Sequence, residues 1–398
     1  MNSPVARLST LDLILSVIGS PRRPADFGIV LHLRKAPTLE ALRAGARSAR
    51  NLYPATGSVI EGKEWKPISA PDDGVTAVPF STDAAERFFA RPFDAHKQAP
   101  IQQLIVNPMP GGLMKLVTRI HHAAADGFSA AMWLRHQFQV ANGSESPATE
   151  PASFESVRLR LHQSPERKNP FGNGGRAQSL CYGSSSPTGL RRWLTIELPA
   201  AFDGDALATA AIETLTEWNR IHGRAARQVG LWLPVNVRRK GDSRFGNGTS
   251  SIRIHPHFIS DESFADKCSE MRRQIRWRLR RGEWAVPQKP LITRLPLWLS
   301  VPLLKLYLNR PWADVGTIPF SYGKEWSGRQ DNAFRNVDKI ECIGQLHKRH
   351  GVAMNAVTHS GRTWMTFTFD SGQMSSAGIE QLADLYQQQI VLAEREIA

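Results

Sequence analysis

One segment near the end of the first third of the chain constrains the fold more than any other. Residues 113–122 read LMKLVTRIHH, and their alternation places positions 114, 116, 118, 120 and 122 on one face of a strand. From Gly127 the sequence is typical of a helix. A strand therefore leads through a tight turn into a helix, and His122 leaves the strand from its inward face.

The sequence around this segment predicts a mixed fold. Residues 25–34 are strand-like, and Thr38 then precedes a helix as a cap residue, with positions 39, 42 and 46 on one face. A strand followed by a helix recurs near Leu104 and near Trp193. We therefore predict the α+β class, with mixed sheets flanked by helices.

The chain divides into two halves. Residues 146–190 are rich in Ser, Pro, Gly and Glu and are predicted to be a linker with one short helix at 154–162. This separates an N-terminal half, residues 1–145, from a C-terminal half, residues 191–398. Elements of the second half are predicted as strands at 229–237, 250–255, 352–357 and 363–369, and as helices at 206–223 and 379–397. Ser360-Gly361-Arg362 marks a hairpin turn between the last two strands.

Composition excludes several classes of protein. A chain of 398 residues with 41 % hydrophobic residues has ample material for a core. Its cysteines are odd in number and widely separated (Cys181, Cys268 and Cys342), which argues against disulfides and against a cysteine zinc site. This cysteine content predicts a reducing, cytoplasmic setting. No secretory signal is predicted, because the apolar stretch 11–19 contains Asp12 and no cleavage pattern follows it. No uninterrupted apolar run is long enough for a transmembrane helix.

The chain is strongly basic. Its formal net charge is +14, which favours an anionic partner: nucleic acid, the phosphates of CoA, an acidic carrier protein or anionic lipid. An Arg-rich genome would produce the same charge without any partner. We expect no nucleic-acid binding, because the sequence has no aromatic and basic motif of a known reader.

Residues 121–127, HHAAADG, carry the chemistry that the sequence reveals. A neutral imidazole at a strand end can accept a proton from a hydroxyl or an amine, and the ordinary histidine pKa of about 6.5 suits neutral pH. Asp126 follows too closely to orient His122, so we expect it to pair with a distant arginine. Gly127 permits the turn and can present its N–H to an oxyanion.

The motif has two other interpretations. His121 and His122 are also consistent with a plain strand end, where one ring is packed and the other solvated. A metal site is disfavoured, because adjacent strand residues point to opposite faces. Other enzyme signatures are missing: the sequence has no nucleophile elbow, no phosphate-binding loop and no dinucleotide fingerprint. We expect no bound cofactor and no metal.

The motif resembles the defining His-His-x-x-x-Asp-Gly sequence of the CoA-dependent acyltransferase superfamily. This superfamily holds chloramphenicol acetyltransferases, condensation domains of non-ribosomal peptide synthesis and wax-ester synthase/diacylglycerol acyltransferases. Residues 8–12, 91–94 and 233–238, together with Phe245-Gly-Asn247, also resemble segments of the wax-ester synthase branch. Two segments depart from that branch: 205–209 lacks its Asn-Asp pair, and 317–323 replaces its Ser-Asn-x-Pro-Gly-Pro.

The resemblance implies two chloramphenicol-acetyltransferase-like halves that form a V around a central tunnel. His122 would lie in the tunnel, and the catalytic candidates would be His122, His121 and Gly127. Asp126 would be structural, with Arg238 as the candidate partner. His122 would deprotonate a small-molecule acceptor, a hydroxyl or an amine, which attacks a thioester directly. The acyl donor would be acyl-CoA or the acyl-phosphopantetheine of an acidic carrier protein, and the enzyme would act as a monomer. The alternatives are a stand-alone condensation enzyme of natural-product biosynthesis and a non-catalytic interaction module of the same fold.

An arginine-rich segment follows in the second half. Residues 271–281 form a predicted helix on which Met271, Ile275 and Leu279 make an apolar stripe. Its other face carries the candidates for donor binding, which are Arg273, Arg276 and Arg280, and Ser321 is a further candidate. A packed helix with a solvated arginine face is the alternative. Residues 291–312 are apolar but interrupted by Pro296 and Pro302, so this region suits peripheral membrane contact and not a spanning helix.

Overall fold

The structure is a computed structural model of the chain. It describes residues 5–19, 25–68, 73–107, 112–143, 180, 182, 188, 190–199, 201–223, 228–238, 244–256, 258, 262–284, 295–308, 317–324, 326, 332–346 and 350–397. The helix predicted at 154–162 lies outside these residues, as does most of the predicted linker. The boundaries between the halves therefore stay predictions.

The described residues form alternating strands and helices. The strands are β1 (Ala6–Arg7), β2 (Asp26–Leu33), β3 (Ser58–Glu61), β4 (Glu64–Pro67), β5 (Val75–Val78), β6 (Ile101–Val106), β7 (Met114–His121), β8 (Arg191–Leu198), β9 (Leu231–Asn236), β10 (Thr249–Ile254), β11 (Ile318–Gly323), β12 (Val337–Ile343), β13 (Val352–His359) and β14 (Arg362–Asp370). The α-helices are α1 (Thr10–Ile18), α2 (Leu39–Leu52), α3 (Ala84–Ala90), α4 (Gly127–Ala141), α5 (Gly204–Ile221), α6 (Phe264–Arg281), α7 (Leu297–Leu308) and α8 (Ser376–Ile397). The predicted α+β class is confirmed.

The motif strand β7 lies in the middle of a five-stranded sheet with the order β12-β2-β7-β6-β5. Its pairings are antiparallel except for the parallel pair β5–β6. In this sheet β12 comes from the C-terminal half and pairs with β2 along Val337 to Ile343. The second half therefore supplies an edge strand of the first half's sheet.

The C-terminal half contains a six-stranded sheet with the order β10-β9-β11-β13-β14-β8. Within it β11 runs parallel to both β9 and β13, while the other pairs are antiparallel. The predicted hairpin joins β13 to β14, and both of its turn residues have positive φ angles, 52° at Ser360 and 76° at Gly361. Such a turn matches the twist of the strands it connects. A small antiparallel sheet, β1-β4-β3, completes the strands.

Each large sheet has its own apolar core. In the N-terminal half α2 and α4 cover the sheet, and Leu42 and Trp133 are buried with Leu116 of β7. The predicted cap of α2 is confirmed, since the Thr38 Oγ1 accepts a hydrogen bond of 3.1 Å from the N–H of Ala41. In the C-terminal half α5, α6 and α8 bury a second core, whose members include Leu215, Met271, Phe320 and Tyr386.

One detail of the sequence interpretation is wrong. Pro302 does not break its segment but lies inside α7, because Leu304 packs on Leu13 of α1 and holds the turn that follows the proline. The predicted apolar stripe on α6 becomes more exposed along the helix, and its middle member, Ile275, is partly buried against the core. Met271 is in the core, whereas Leu279 is 36 % exposed, near the left-handed Gly282 that ends the helix. No helix among the described residues is long and apolar enough to cross a bilayer.

A buried carboxylate at the start of β2 connects the two halves. Asp26 is bonded by the Nε of Arg119, on the neighbouring strand β7. Its other oxygen lies 2.6 Å from the Nη2 of Arg191, at the start of β8 in the C-terminal half. All three side chains are buried. Asp26 thus balances two arginines, one from each half.

We expect the loss of Asp26 to destabilise the protein far more than the loss of Arg191. Asp26→Leu leaves two guanidinium groups facing each other without a counter-charge, which costs about 3–5 kcal/mol of the free energy of unfolding. Arg191→Met leaves the neutral pair of Asp26 and Arg119 intact. The urea midpoints and melting temperatures of both variants measure the difference, and equal losses would contradict the assignment of Asp26 as the shared counter-charge.

Candidate active site

The turn that carries the motif is held by backbone hydrogen bonds to neighbouring chain segments. The N–H of His121 donates to the carbonyl of Pro100 at 2.8 Å, and the N–H of His122 donates to the carbonyl of Ala25 at 2.7 Å. A further bond of 3.0 Å from the N–H of Ala124 to the carbonyl of His121 closes the turn before α4 begins. The backbone at both histidines is therefore fixed by the sheet.

The two histidines face different surroundings, as alternation along a strand requires. The His121 ring is buried beside Phe93, and its Nδ1 accepts a hydrogen bond of 3.3 Å from the N–H of Ala123. Burial lowers the pKa of His121 to about 4, so this ring is neutral at pH 7. Its packing and its engaged nitrogen describe a structural residue.

His122 is only partly buried, and its ring centre lies 5.0 Å from that of Phe27. Burial lowers its pKa, while the Asp126 carboxylate and Asn247 act in the opposite direction. The imidazole is therefore neutral at pH 7 and can accept a proton. Its Nδ1 is buried, and among the described residues no group lies in hydrogen-bonding geometry to it.

Asp126 is saturated with hydrogen-bond donors. It caps α4 by accepting 2.9 Å from the N–H of Ser129. Its Oδ2 also accepts from the N–H of Gly248 and from the Oγ1 of Thr249, each at 2.8 Å. The predicted contact with Arg238 is present, with Nη1–Oδ2 at 2.6 Å and Nη2–Oδ1 at 3.1 Å. A carboxylate so engaged holds the turn and does not orient His122 as a triad acid would.

Arg238 binds the turn from the C-terminal half. Beside Asp126, its Nη2 donates to the carbonyl of Gly246 at 2.6 Å and to the Oγ of Ser129 at 2.9 Å. The guanidinium lies 4.8 Å from the ring centre of Phe128. A Cβ on Gly248 would lie 2.4 Å from the Cζ of Arg238, so a side chain there would have to displace the guanidinium. In contrast, a Cβ added at Gly127 would have no atom within 4 Å.

Sequence reasoning missed the role of Asn247 beside His122. Its Nδ2 donates to the Oδ1 of Asp12 at 2.8 Å and to the carbonyl of Ala123 at 3.1 Å. Asp12 is fully buried and also forms a capping box with Ser9 at the start of α1. The signal was a carboxylate inside an otherwise apolar helix, which calls for a buried polar partner.

The candidates for donor binding lie outside this hydrogen-bond network. Ser321 is on β11, and its Oγ donates to the Oδ1 of Asn355 at 2.6 Å. On α6, Arg273, Arg276 and Arg280 are exposed, and Arg273 is paired with Glu270. The segment after α6 still contacts the network, since the Oγ of Ser250 on β10 donates a hydrogen bond to the carbonyl of Trp284. Ser250 is next in sequence to Thr249, which binds Asp126.

No group of three or more histidine, cysteine, aspartate or glutamate side chains among the described residues is arranged to hold a metal ion. At the motif the oxygens of Asp126 are occupied by protein donors, and His121 and His122 face different surroundings. A neutral imidazole such as that of His122 is a group that can accept a proton and return it.

Comparisons with known proteins identify the architecture. No protein-family model and no curated protein matches the chain in sequence. Among solved structures, the first condensation domain of the calcium-dependent antibiotic synthetase, with a bound substrate analogue, matches at a TM-score of 0.69 and 14 % identity over 99 % of this chain and 98 % of that one. The chain has the condensation-domain fold.

Two further structures agree with this fold. The starter condensation domain of rhizomide synthetase, a mutant in complex with C8-CoA and Leu-SNAC, has a TM-score of 0.65 and 14 % identity over 98 % of this chain and 94 % of that one. The X-domain in its complex with OxyB from teicoplanin biosynthesis has a TM-score of 0.61 and 13 % identity over 99 % and 94 %. Because these condensation-domain-type matches span nearly the whole chain, the predicted fold of two chloramphenicol-acetyltransferase-like halves is confirmed. The tunnel between the halves stays a prediction.

We expect Gly248→Ala to damage the site without changing any charge. The added methyl group must displace Arg238 from Asp126, and breaking such a buried pair costs about 3–5 kcal/mol when the displacement is complete. Asp126→Ala should cause a similar loss, and Asp126→Asn a smaller one. Gly127→Ala is the matched control, because its Cβ meets no atom within 4 Å. Thermal and urea unfolding measure the effects, and a Gly248→Ala protein as stable as Gly127→Ala would refute the steric argument.

Proposed function

We propose that this protein is an acyltransferase that moves an acyl group from a thioester to a hydroxyl or amine acceptor, with His122 as the general base. The observation that carries the proposal is the state of His122. It is a neutral, partly exposed imidazole, held at a strand end where the motif of the first half meets Asn247 and Gly248 of the second. The condensation-domain fold supports it.

In the proposed reaction His122 acts first as a base and then, once protonated, as an acid. His122 accepts the proton of the acceptor's O–H or N–H as that atom attacks the thioester carbonyl. The negative carboxylate of Asp126 favours the imidazolium that forms. When the tetrahedral intermediate collapses, the carbon–sulfur bond breaks and the thiolate takes the proton from the imidazolium. The N–H of Gly127, at the start of α4, is our candidate donor to the oxyanion.

We propose Asn247 as the residue that positions the His122 ring. Its Nδ2 is bound to two acceptors, on Asp12 and Ala123, so its Oδ1 must point away from them. That Oδ1 and the Nδ1 of His122 are both buried and without a partner in hydrogen-bond geometry among the described residues. The side chain of Asn247 and the backbone carbonyl of His122 both raise the pKa of His122. A hydrogen-bond acceptor has this effect when it binds a ring N–H. The Nδ1–H tautomer follows, with Nε2 as the base.

The donor and the partners belong to this proposal. The rhizomide synthetase domain was solved with C8-CoA, which supports an acyl thioester of CoA or of phosphopantetheine as the substrate here. We propose that the exposed Arg273, Arg276 and Arg280 attract its phosphates or an acidic carrier protein. The alternative function is an interaction module, and the X-domain bound to OxyB is the observation that favours it. Turnover by the wild-type protein separates the two functions.

His122→Ala should abolish turnover while the protein stays folded. Loss of a general base lowers the rate by about 10²- to 10⁴-fold. The assay is thiol release from a panel of acyl-CoAs and acyl carrier proteins offered with alcohols and amines. His121→Ala serves as the control, and it should lower stability more than the rate of the folded fraction. Activity of His122→Ala within a few-fold of wild type would rule out the base assignment.

The pH dependence tests the same assignment in the wild-type protein. Only the deprotonated imidazole acts as a base, and burial lowers its pKa from the ordinary value of about 6.5. The rate should therefore hold as the pH falls to about 6.5 and decline only below it. A decline that begins well above neutral pH would contradict a histidine with a lowered pKa as the base.

Nitrogen-15 NMR of labelled histidine tests the role of Asn247 without any substrate. The His122 signals, assigned by their loss in His122→Ala, should show a protonated Nδ1 and a bare Nε2. Asn247→Leu should lower the pKa of His122, increase the Nε2–H tautomer and reduce kcat. A wild-type His122 that is protonated at Nε2, or a His122 pKa that Asn247→Leu leaves unchanged, would exclude the positioning role.

A further inference from the structure

Helix α7 presents an apolar face to solvent. Trp298 is 76 % exposed and Leu306 is 71 % exposed, which makes them the two most exposed large apolar side chains of the described residues. Positions 298, 302 and 306 follow at intervals of four, so Trp298, Pro302 and Leu306 share one side of the helix. Leu303, which is 41 % exposed, extends this side. Exposed apolar surface of this kind marks a binding surface.

The exposure does not come from a loosely attached helix. On the opposite side of α7, Ser300 and Leu304 are buried, and Leu304 packs with Leu13 and Val17 of α1. The segment before α7 is also tied down, because the Nζ of Lys63 donates to the carbonyl of Leu295. The helix is thus held with one apolar side inward and another outward.

The pair of helices α1 and α7 carries almost no charge. Their sequences, TLDLILSVI and LWLSVPLLKLYL, contain one acidic residue, Asp12, and one basic residue, Lys305. Asp12 is fully buried and bonded to Ser9 and Asn247, whereas Lys305 is exposed on α7. The outer side therefore combines apolar side chains, a tryptophan and one positive charge, on a protein with a formal net charge of +14.

We propose that the outer surface of α7, formed by Trp298, Pro302, Leu303, Lys305 and Leu306, docks on an anionic lipid bilayer. Apolar side chains enter the boundary between headgroups and acyl chains, a tryptophan lies at that level, and anionic headgroups attract the lysine and the basic protein. Among the described residues of this surface an acidic protein partner would meet one cation, Lys305, so the lipid surface is the better match. Helix α1, which packs on α7, also holds Asn247 beside His122 through Asp12. Docking would therefore bring the candidate site close to apolar substrates.

Vesicle flotation of the full chain tests the proposal. The vesicles are phosphatidylcholine alone and phosphatidylcholine mixed with phosphatidylglycerol, each at low and high salt. We expect binding to the mixed vesicles that weakens at high salt, because screening shortens the reach of the charges. Trp298→Ala and Leu306→Glu should each reduce the partition coefficient about tenfold or more. Leu392→Glu is the matched control, since Leu392 is 49 % exposed on α8, and it should bind like wild type.

Four results would overturn the proposal. The first is wild-type protein that floats with neither kind of vesicle, and the second is a control variant that loses as much binding as the α7 variants. The third is binding that survives Trp298→Ala and Leu306→Glu but is lost in the double variant Arg276→Gln, Arg280→Gln. That result would assign the membrane contact to α6. Light scattering that shows a wild-type dimer dissociated by Leu306→Glu would assign the surface to a second copy of the chain. Since flotation needs no turnover, its failure leaves the proposed acyl transfer untouched, and the reverse also holds.

Discussion

The Asp126 carboxylate is the contact on which the candidate site depends. It closes the turn between β7 and α4 through the N–H of Ser129, and it accepts bonds from Arg238, Gly248 and Thr249 of the C-terminal half. The same oxygens thus shape the motif and join the halves. Removing the charge would leave the buried Arg238 without its counter-charge, so local and global stability are linked at one residue.

A second buried carboxylate repeats this arrangement on the other side of the motif strand. Asp26 lies opposite His121 in the register of β2 and β7, and its carboxylate is bound by Arg119 of β7 and by Arg191 of the C-terminal half. Both carboxylates oppose the lowering of the histidine pKa values by burial. A buried ion pair adds little net stability compared with apolar packing, but its geometry is specific. The two pairs therefore position the halves around His122 more than they strengthen the fold.

Much of the local structure could be predicted because it depends on neighbours in sequence. Alternation along 113–122 predicted β7, and the positive φ angles at Ser360 and Gly361 agree with the predicted hairpin. The pairing of Asp126 with Arg238 was predicted from the tightness of the turn and from the resemblance. Pro302 was misjudged, because its cost to a helix is local while the packing of Leu304 on Leu13 comes from a distant segment.

The sequence by itself determined the class of the fold, the strand-to-helix turn and the histidine with the chemistry of a base, since alternation, capping and turn residues act within a few positions. Only the tertiary structure decided which distant groups surround that histidine. Asp12, Asp26, Arg191 and Asn247 all lie far from His122 in the sequence, and β12 joins the sheet of the other half. Their meeting depends on how two apolar cores pack against each other, and a burial energy that is summed over many side chains leaves no short pattern in the sequence.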